Sequence, residues 1–217
     1  MDRGKTDYVP ALRFNWLTRF YDLLIPATMP ERRFKTSLID QADIQDAHRV
    51  LDFGTGTATL SLLAKQLAPG AEITGVDVDE KIIGIAREKI ASGHADIKID
   101  RYDGSRLPYP DNHFDRVISS LVFHHLDRRQ KEICLREIRR VLKANGELHV
   151  ADWGKAQNAF MRGLFFLVQM LDGFGTTRDN VNGLLPALMI DAGFAGAGET
   201  GRYSTVFGTL SLYRAKK

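Results

Sequence analysis

One cysteine, Cys134, occurs among the 217 residues, so no intramolecular disulfide framework is available and a reducing compartment is the expected setting. Long apolar runs are missing too. The most apolar stretch, Gly163 to Leu171, is far shorter than the roughly 20 residues that cross a bilayer, so no transmembrane segment is expected, while peripheral membrane contact stays open. Met1 to Lys5 leads into polar residues rather than the apolar segment of a secretory leader, and the expected location is cytoplasmic. There is no internal repeat, low-complexity tract or linker. Nor does charge of one sign dominate: 30 Lys and Arg stand against 27 Asp and Glu, a net +3. The basic residues are spread along the chain, apart from a short terminal cluster at Arg214, Lys216 and Lys217, so no nucleic-acid partner is expected. With 44% hydrophobic residues the chain can bury one sizeable core and has little room for a second.

What the chain does have is a run at Val50-Leu51-Asp52-Phe53-Gly54-Thr55-Gly56-Thr57-Ala58. Apolar residues lead into an acid and then a Gly-x-Gly-x-Ala turn, the pattern of a buried strand ending in a tight loop that opens a helix. A dinucleotide loop offers bare N–H groups to a pyrophosphate, and the carboxylate of Asp52 would repel that anion. It would attract a ligand carrying an ammonium and a sulfonium, and S-adenosylmethionine is such a ligand. Thr59 stands where the third glycine of Gly-x-Gly-x-x-Gly would fall. A second strand, Ala71 to Asp77, ends in an acid placed to accept hydrogen bonds from ribose hydroxyls. Asp77 can instead cap the following helix, but Asp79 suits that task better.

A third short strand, Asp96 to Ile99, is followed by Asp103-Gly104 and by Leu107-Pro108-Tyr109-Pro110-Asp111-Asn112-His113-Phe114-Asp115. With Leu51-Asp52-x-Gly54-x-Gly56-x-Ala58, Gly75-Val76-Asp77, His124-His125-Leu126 and Arg136 to Lys143 before Gly146, residues 48 to 152 resemble the class I S-adenosylmethionine-dependent methyltransferases. Within them, the ubiquinone/menaquinone-biosynthesis C-methyltransferases are the most similar branch. Ala58 replaces a frequent glycine, and Asn145 stands before Gly146 where proline or glycine is common. The resemblance implies cofactor contacts from Asp52, Gly54, Thr55, Gly56, Asp77, Val78, Asp103, Gly104 and Ser119. Asp103 would hold the adenine amino group, and the backbone at Gly104 and Ser105 would meet the ring. The cofactor would be S-adenosyl-L-methionine, leaving as S-adenosyl-L-homocysteine.

Alternating elements predict an α/β fold: a single Rossmann-like, doubly wound sheet, mostly parallel, with helices on both faces. Strands are expected near 49–53, 71–77, 96–100, 114–119 and 146–152, and helices near 58–68, 79–91, 128–142 and 181–192. Asp127 should cap the third helix, whose core stripe is Cys134, Ile138, Val141 and Leu142, and Asn145-Gly146 should end the segment. Its Arg and Glu residues read as solvated. Two closing strands, Thr200 to Tyr203 and Thr205 to Ala215, complete the chain, and the resemblance makes the last one antiparallel. Residues 1–217 then form one domain, with a helical cap at 1–47, a cofactor core at 48–152, a helical insertion or lid at 153–194 and closing strands at 195–217.

The acceptor side draws on two regions. Phe14, Leu17, Phe20, Tyr21 and Leu24 have helical spacing and suit an amphipathic helix packed on the sheet, from which Tyr8 and Tyr21 can reach a substrate. The run from Phe160 to Leu171 is apolar almost all round, which suits burial on more than one side or a mobile lid, and Gly173, Gly175, Thr176 and Thr177 suit a hinge. Trp153 belongs with this acceptor-binding set. His124 and His125 follow the fourth strand and titrate in the useful range, so either can serve as a base in an in-line methyl transfer, with His125 the stronger candidate and His124 also placed to touch the acceptor. As adjacent residues they should project apart, and no metal site is expected.

Ser119 to Phe123 lacks the Asn/Asp-Pro-Pro-aromatic turn of methyltransferases that act on base amino groups. The aromatic N-terminal segment and the apolar insertion favour a small, hydrophobic or lipid-like acceptor: a polyprenylated quinone precursor, a phospholipid headgroup amine or an aromatic metabolite. The rival classes are a nicotinamide-dependent oxidoreductase, which should lack Asp52 and carry Gly or Ala at 59, and a non-catalytic protein that only binds the cofactor. The atom methylated and the oligomeric state are not readable.

Overall fold

The computed structural model describes residues 31–157, 161–163, 165–166, 169, 174–205 and 208–217. Seven strands make one sheet: β1 (Arg49–Phe53), β2 (Glu72–Asp77), β3 (Ile97–Arg101), β4 (Phe114–Ser120), β5 (Leu142–Trp153), β6 (Ala195–Ser204) and β7 (Thr209–Lys216). Their order is β3-β2-β1-β4-β5-β7-β6. Strands β1 to β5 pair in parallel, and β7 runs antiparallel to both β5 and β6. The expected doubly wound α/β sheet is thus present, with the last strand reversed.

Successive side chains along each strand point to opposite faces of the sheet. Leu51, Phe53, Val117, Leu148 and Val150 pack on one face with Cys134, Leu135, Ile138 and Val141 of α4 (Arg128–Val141). Val50, Ile73, Ile118 and Ala151 pack on the other with Phe34, Leu38 and Ala42 of α1 (Glu31–Ala42) and Leu60 and Ala64 of α2 (Thr59–Leu67). Helix α3 (Glu80–Ser92) lays Ile83, Ala86 and Ile90 against Ile99. Both faces being covered explains why β1 is buried at four successive positions.

Asp127 caps α4 with a reciprocal bond from Gln130, as the sequence suggests. The end of α4 is different: helix passes into strand at Leu142, and Asn145 and Gly146 lie inside β5, where its register with β4 shifts. The expected hinge is also corrected. Gly175, Thr176 and Thr177 lie in helix α5 (Phe174–Val181), followed by α6 (Leu185–Asp191) in place of one helix over 181–192. Thr177 is fully buried, and the Asn180 amide donates to the Trp153 carbonyl, so packing overrides weak helix propensity. In the preceding segment Met161, Phe165 and Gln169 are buried at a four-residue interval while Phe166 is half exposed, so among the described residues burial is one-sided.

Candidate active site

The chain steps outward from β1 to β2 to β3 and then returns to place β4 beside β1. Loops leaving β1 and β4 diverge at this switch point, where open α/β sheets form a ligand crevice. Gly54 and Gly56 carry the first loop at φ +71° and +55°, backbone that other residues seldom adopt. A Cβ on Gly54 would lie 2.4 Å from Val122 Cγ2, so the β1 loop rests directly on the segment that follows β4.

The loop is braced from beneath. Gly54 and Thr55 donate their N–H groups to the Val76 carbonyl at 2.9 and 3.0 Å, and Gly56 donates to Asp77 Oδ2 at 2.9 Å. Asp77 Oδ1 accepts from the amides of half-buried Val78 and of Asp79. Asp79 itself caps α3 by accepting from Lys81 and Ile82, so Asp77 is not the cap. Asp52 turns inward: it is 1% exposed, and its Oδ2 accepts from the hydroxyls of Thr55 at 2.9 Å and Ser61 at 2.5 Å. Burial pushes its carboxyl above the usual carboxylate range. Asp52 therefore shapes the loop from within, and Thr55 serves the same bracket.

Asp103 begins the next loop. Its Oδ1 accepts from Ser105 N, Ser105 Oγ and Arg106 N, which hold its carboxyl below the usual range and leave Oδ2 with no partner among the described residues. The loop is tied down by α4 residues that the sequence suggested were merely solvated. Arg140 donates to the carbonyls of Leu107 and Tyr109 and to Asp111 and Glu137, while Glu137 accepts the Leu107 N–H. Lys131, on the same helix, is fully buried and donates to the Thr176 carbonyl at 2.6 Å, with Asp179 Oδ2 3.6 Å away.

Past β4, Ser119 is fully buried and its hydroxyl donates to the Phe53 carbonyl at 2.9 Å. Its side chain joins β1 to β4. Leu121, at φ +59°, turns the chain into a short 3-10 helix, Phe123–His125. Such a dihedral is unusual for a bulky residue and is the kind of backbone found at functional sites.

That turn sits on Asp152, a fully buried acid near the end of β5 that the sequence reading missed. Asp152 Oδ2 accepts from Phe123 N at 2.7 Å and His124 N at 3.3 Å. Its Oδ1 lies 2.7 Å from His124 Nδ1 and accepts from Trp153 N at 2.7 Å. The two histidine rings do not project apart: their centroids are 3.9 Å from each other, at a tilt of 43°. His125 is exposed as a residue, yet desolvation by the surrounding protein and the adjacent His124 push its imidazole down to about 3. The contact with Asp152 falls to His124. Trp153 is buried, edge-on to Phe165 at 5.2 Å and to His124 at 6.5 Å. Tyr8 and Tyr21 lie outside the described residues.

A missed signal for Asp152 was present. Val50-Leu51-Asp52, Gly75-Val76-Asp77 and Val150-Ala151-Asp152 are each an apolar strand ending in an acid.

The crevice suits an adenosine. A Cβ on Gly56 or Gly104 would meet nothing within 4 Å, so backbone lies bare at both points, with Asp77 and Asp103 beside them as acceptors. A pyrophosphate fits poorly, because the Gly54, Thr55 and Gly56 N–H groups already have acceptors and two carboxylates border the loop. Comparison with known proteins agrees. The methyltransferase domain family matches residues 50–146. A demethylmenaquinone methyltransferase of Thermus thermophilus is 30% identical over 216 residues, covering 92% of this chain and 97% of the relative. The chain belongs to the class I S-adenosylmethionine-dependent methyltransferases. Within them, this methyltransferase falls in the quinone-biosynthesis C-methyltransferase branch. A ubiquinone/menaquinone biosynthesis C-methyltransferase of Cupriavidus necator is 33% identical over 125 residues, and there the match spans 57% of this chain and 51% of the relative. An S-adenosylmethionine-dependent methyltransferase of Aquifex aeolicus shares the fold at TM-score 0.66 with 18% identity, over 90% of this chain and 98% of that one. The cofactor of the methyltransferase is S-adenosylmethionine.

Proposed function

We propose that this methyltransferase acts in the cytoplasm as one domain and methylates a small, largely apolar, quinone-like aromatic acceptor by in-line displacement. The observation that carries the proposal is the contact of Gly54 with Val122, which sets the cofactor loop against the turn bearing His124. The name of the Thermus relative supports a quinone-like acceptor. Bound S-adenosylmethionine supplies a methyl group already activated by its sulfonium. Asp77, Asp103 and the bare backbone at Gly56 and Gly104 orient the nucleoside, and orientation is the larger part of what such a reaction asks of a protein. Trp153 and Phe165 form an apolar wall next to His124 that keeps water away.

The test is incubation with S-adenosylmethionine and demethylmenaquinone in its reduced, hydroquinone form, because an electrophilic methyl group needs an electron-rich ring. A methylated product seen by mass spectrometry supports the acceptor class. Its absence, with S-adenosylhomocysteine still bound, removes that class. No helix among the described residues is long and apolar enough to cross a membrane.

A further inference from the structure

We propose that the cleft between Arg162 and Arg178 is an anion site that takes a phosphate-type group.

The cleft holds about 250 Å³ and is lined by Arg162, Gln169, Arg178, Val181 and Asn182. None of these side chains belongs to the cofactor or acceptor set described above, so the site stands independently of the acceptor assignment. Pockets that enclose a whole drug-sized ligand run to about 300–1,000 Å³, and this volume therefore suits a small group rather than a quinone ring with its tail. Among the described residues the lining carries two cations, Arg162 and Arg178, and no acid. Asp179, next to Arg178 in sequence, is buried and already paired with Arg128 and Lys131 of α4.

The site is built from buried supports. Arg162 is exposed, and its Nη1 donates to Gln169 Oε1 at 2.7 Å. Gln169 is 3% exposed, and its Nε2 donates in turn to Thr177 Oγ1 of α5 at 3.0 Å. Both ends of that amide are engaged, so Gln169 braces the Arg162 guanidinium against α5 and leaves its remaining N–H donors for a ligand. Arg178 is exposed on α5, and its guanidinium makes no hydrogen bond or ion pair among the described residues. Asn182, also exposed, adds an amide to the rim. A cation held in place before the ligand arrives loses less freedom on binding.

One effect opposes an anion here. The cleft lies at the C-terminal end of α5, where the helix dipole places about half a negative charge. The last carbonyls are already satisfied, however: those of Arg178, Asp179 and Asn180 accept from the N–H groups of Asn182, Leu184 and Gly183. Two full positive charges outweigh what is left. Guanidinium forks match the oxygens of phosphate in pairs, and a phosphate group has enough acceptor oxygens to meet both forks and the Asn182 amide together. A carboxylate offers fewer oxygens and cannot serve all three. A phosphate held between Arg162 and Arg178 would tie the segment around Arg162 to α5, which packs on the Phe123–His125 turn and bonds to Trp153 through Asn180.

The phosphate can come from a soluble ion or ester, or from the headgroup of an anionic phospholipid. The experiment uses the full chain and inorganic phosphate at constant ionic strength, read by the nitrogen-15 shifts of the arginine side chains and by Tm. Wild type should show saturable shifts at Arg162 and Arg178, and a higher Tm than in chloride. The double variant Arg162→Gln, Arg178→Gln removes both charges from exposed positions. It should fold, bind S-adenosylhomocysteine within about threefold of wild type, and bind phosphate at least tenfold more weakly. Cosedimentation with phosphatidylcholine vesicles, with and without phosphatidylglycerol, then identifies the source. Retention by the anionic vesicles that the double variant loses assigns the phosphate to a lipid headgroup, and phosphate binding without retention assigns it to a soluble ligand. Equal phosphate affinity in wild type and the folded double variant, or no response of wild type beyond that to chloride, would overturn the site.

Discussion

Asp77 Oδ2 accepts the Gly56 N–H at 2.9 Å, so the acid that ends β2 and the glycine loop that leaves β1 are one mechanical unit. The same carboxylate takes the amides of Val78 and Asp79 on its other oxygen. Asp77 therefore sets the loop of the proposed nucleoside site, beside the place proposed for the nucleoside's sugar. Changing it disturbs both, whereas α3 keeps its own cap at Asp79.

The approach of Gly54 to Val122 makes an equally direct prediction. Gly54→Ala places a Cβ at φ +71°, at a cost of about 1–2 kcal/mol, and drives it to 2.4 Å from Val122 Cγ2. We expect about 2 kcal/mol of lost stability, a fall of about 4–8 °C in Tm for a chain of this size, and at least tenfold weaker binding of S-adenosylhomocysteine. Adding Val122→Ala should restore part of the Tm. Full stability of the single variant would show that the two segments are not in contact.

Arg140 bonds two loop carbonyls, Leu107 and Tyr109, that have no strand partner to replace it. Arg140→Ala should cost about 1–3 kcal/mol in denaturant unfolding, since it leaves half-buried carbonyls unsatisfied. Because the loop begins at Asp103, affinity for S-adenosylhomocysteine should drop several-fold as well. A surface arginine with no structural duty would change neither.

Asp52 carries a pH signature of its own. Its folded carboxyl is pushed up by burial, so the folded state holds this proton more tightly than the unfolded chain does. From the unfolded value of about 3.8 up to the folded value, stability falls as pH rises, because the unfolded state binds fewer protons. Asp52→Asn keeps an oxygen able to accept from Thr55 and Ser61 and removes the charge. Tm measured against pH should therefore gain on wild type as pH increases from about 4 towards neutrality. Parallel Tm curves for the two proteins would contradict this.

The sheet was largely legible in the sequence because parallel strands buried on both faces leave short apolar runs, and four of the first five were bounded to within a residue. The start of β5 was not. Asn145-Gly146 is a standard stop signal, and only its pairing with β4 shows that the strand runs through it. Helix α5 was hidden by Gly175 and two threonines, residues of low helix propensity held in place by the buried Lys131 and by the Asn180–Trp153 bond. At the site, the glycine loop and Asp77 could be read from spacing alone. Asp152 could not be assigned, since its importance lies in contacts with residues almost thirty positions earlier. Ser119, a polar residue at a strand end, bonds sideways to β1.

Calorimetric titration of S-adenosylhomocysteine into wild type and into Asp77→Ala tests the central claim most directly. Micromolar binding by wild type, weakened at least tenfold in the variant (about 1.4 kcal/mol), is the predicted result. A folded wild type that does not bind the nucleoside, or a variant that binds it equally well, would contradict the cofactor site described above.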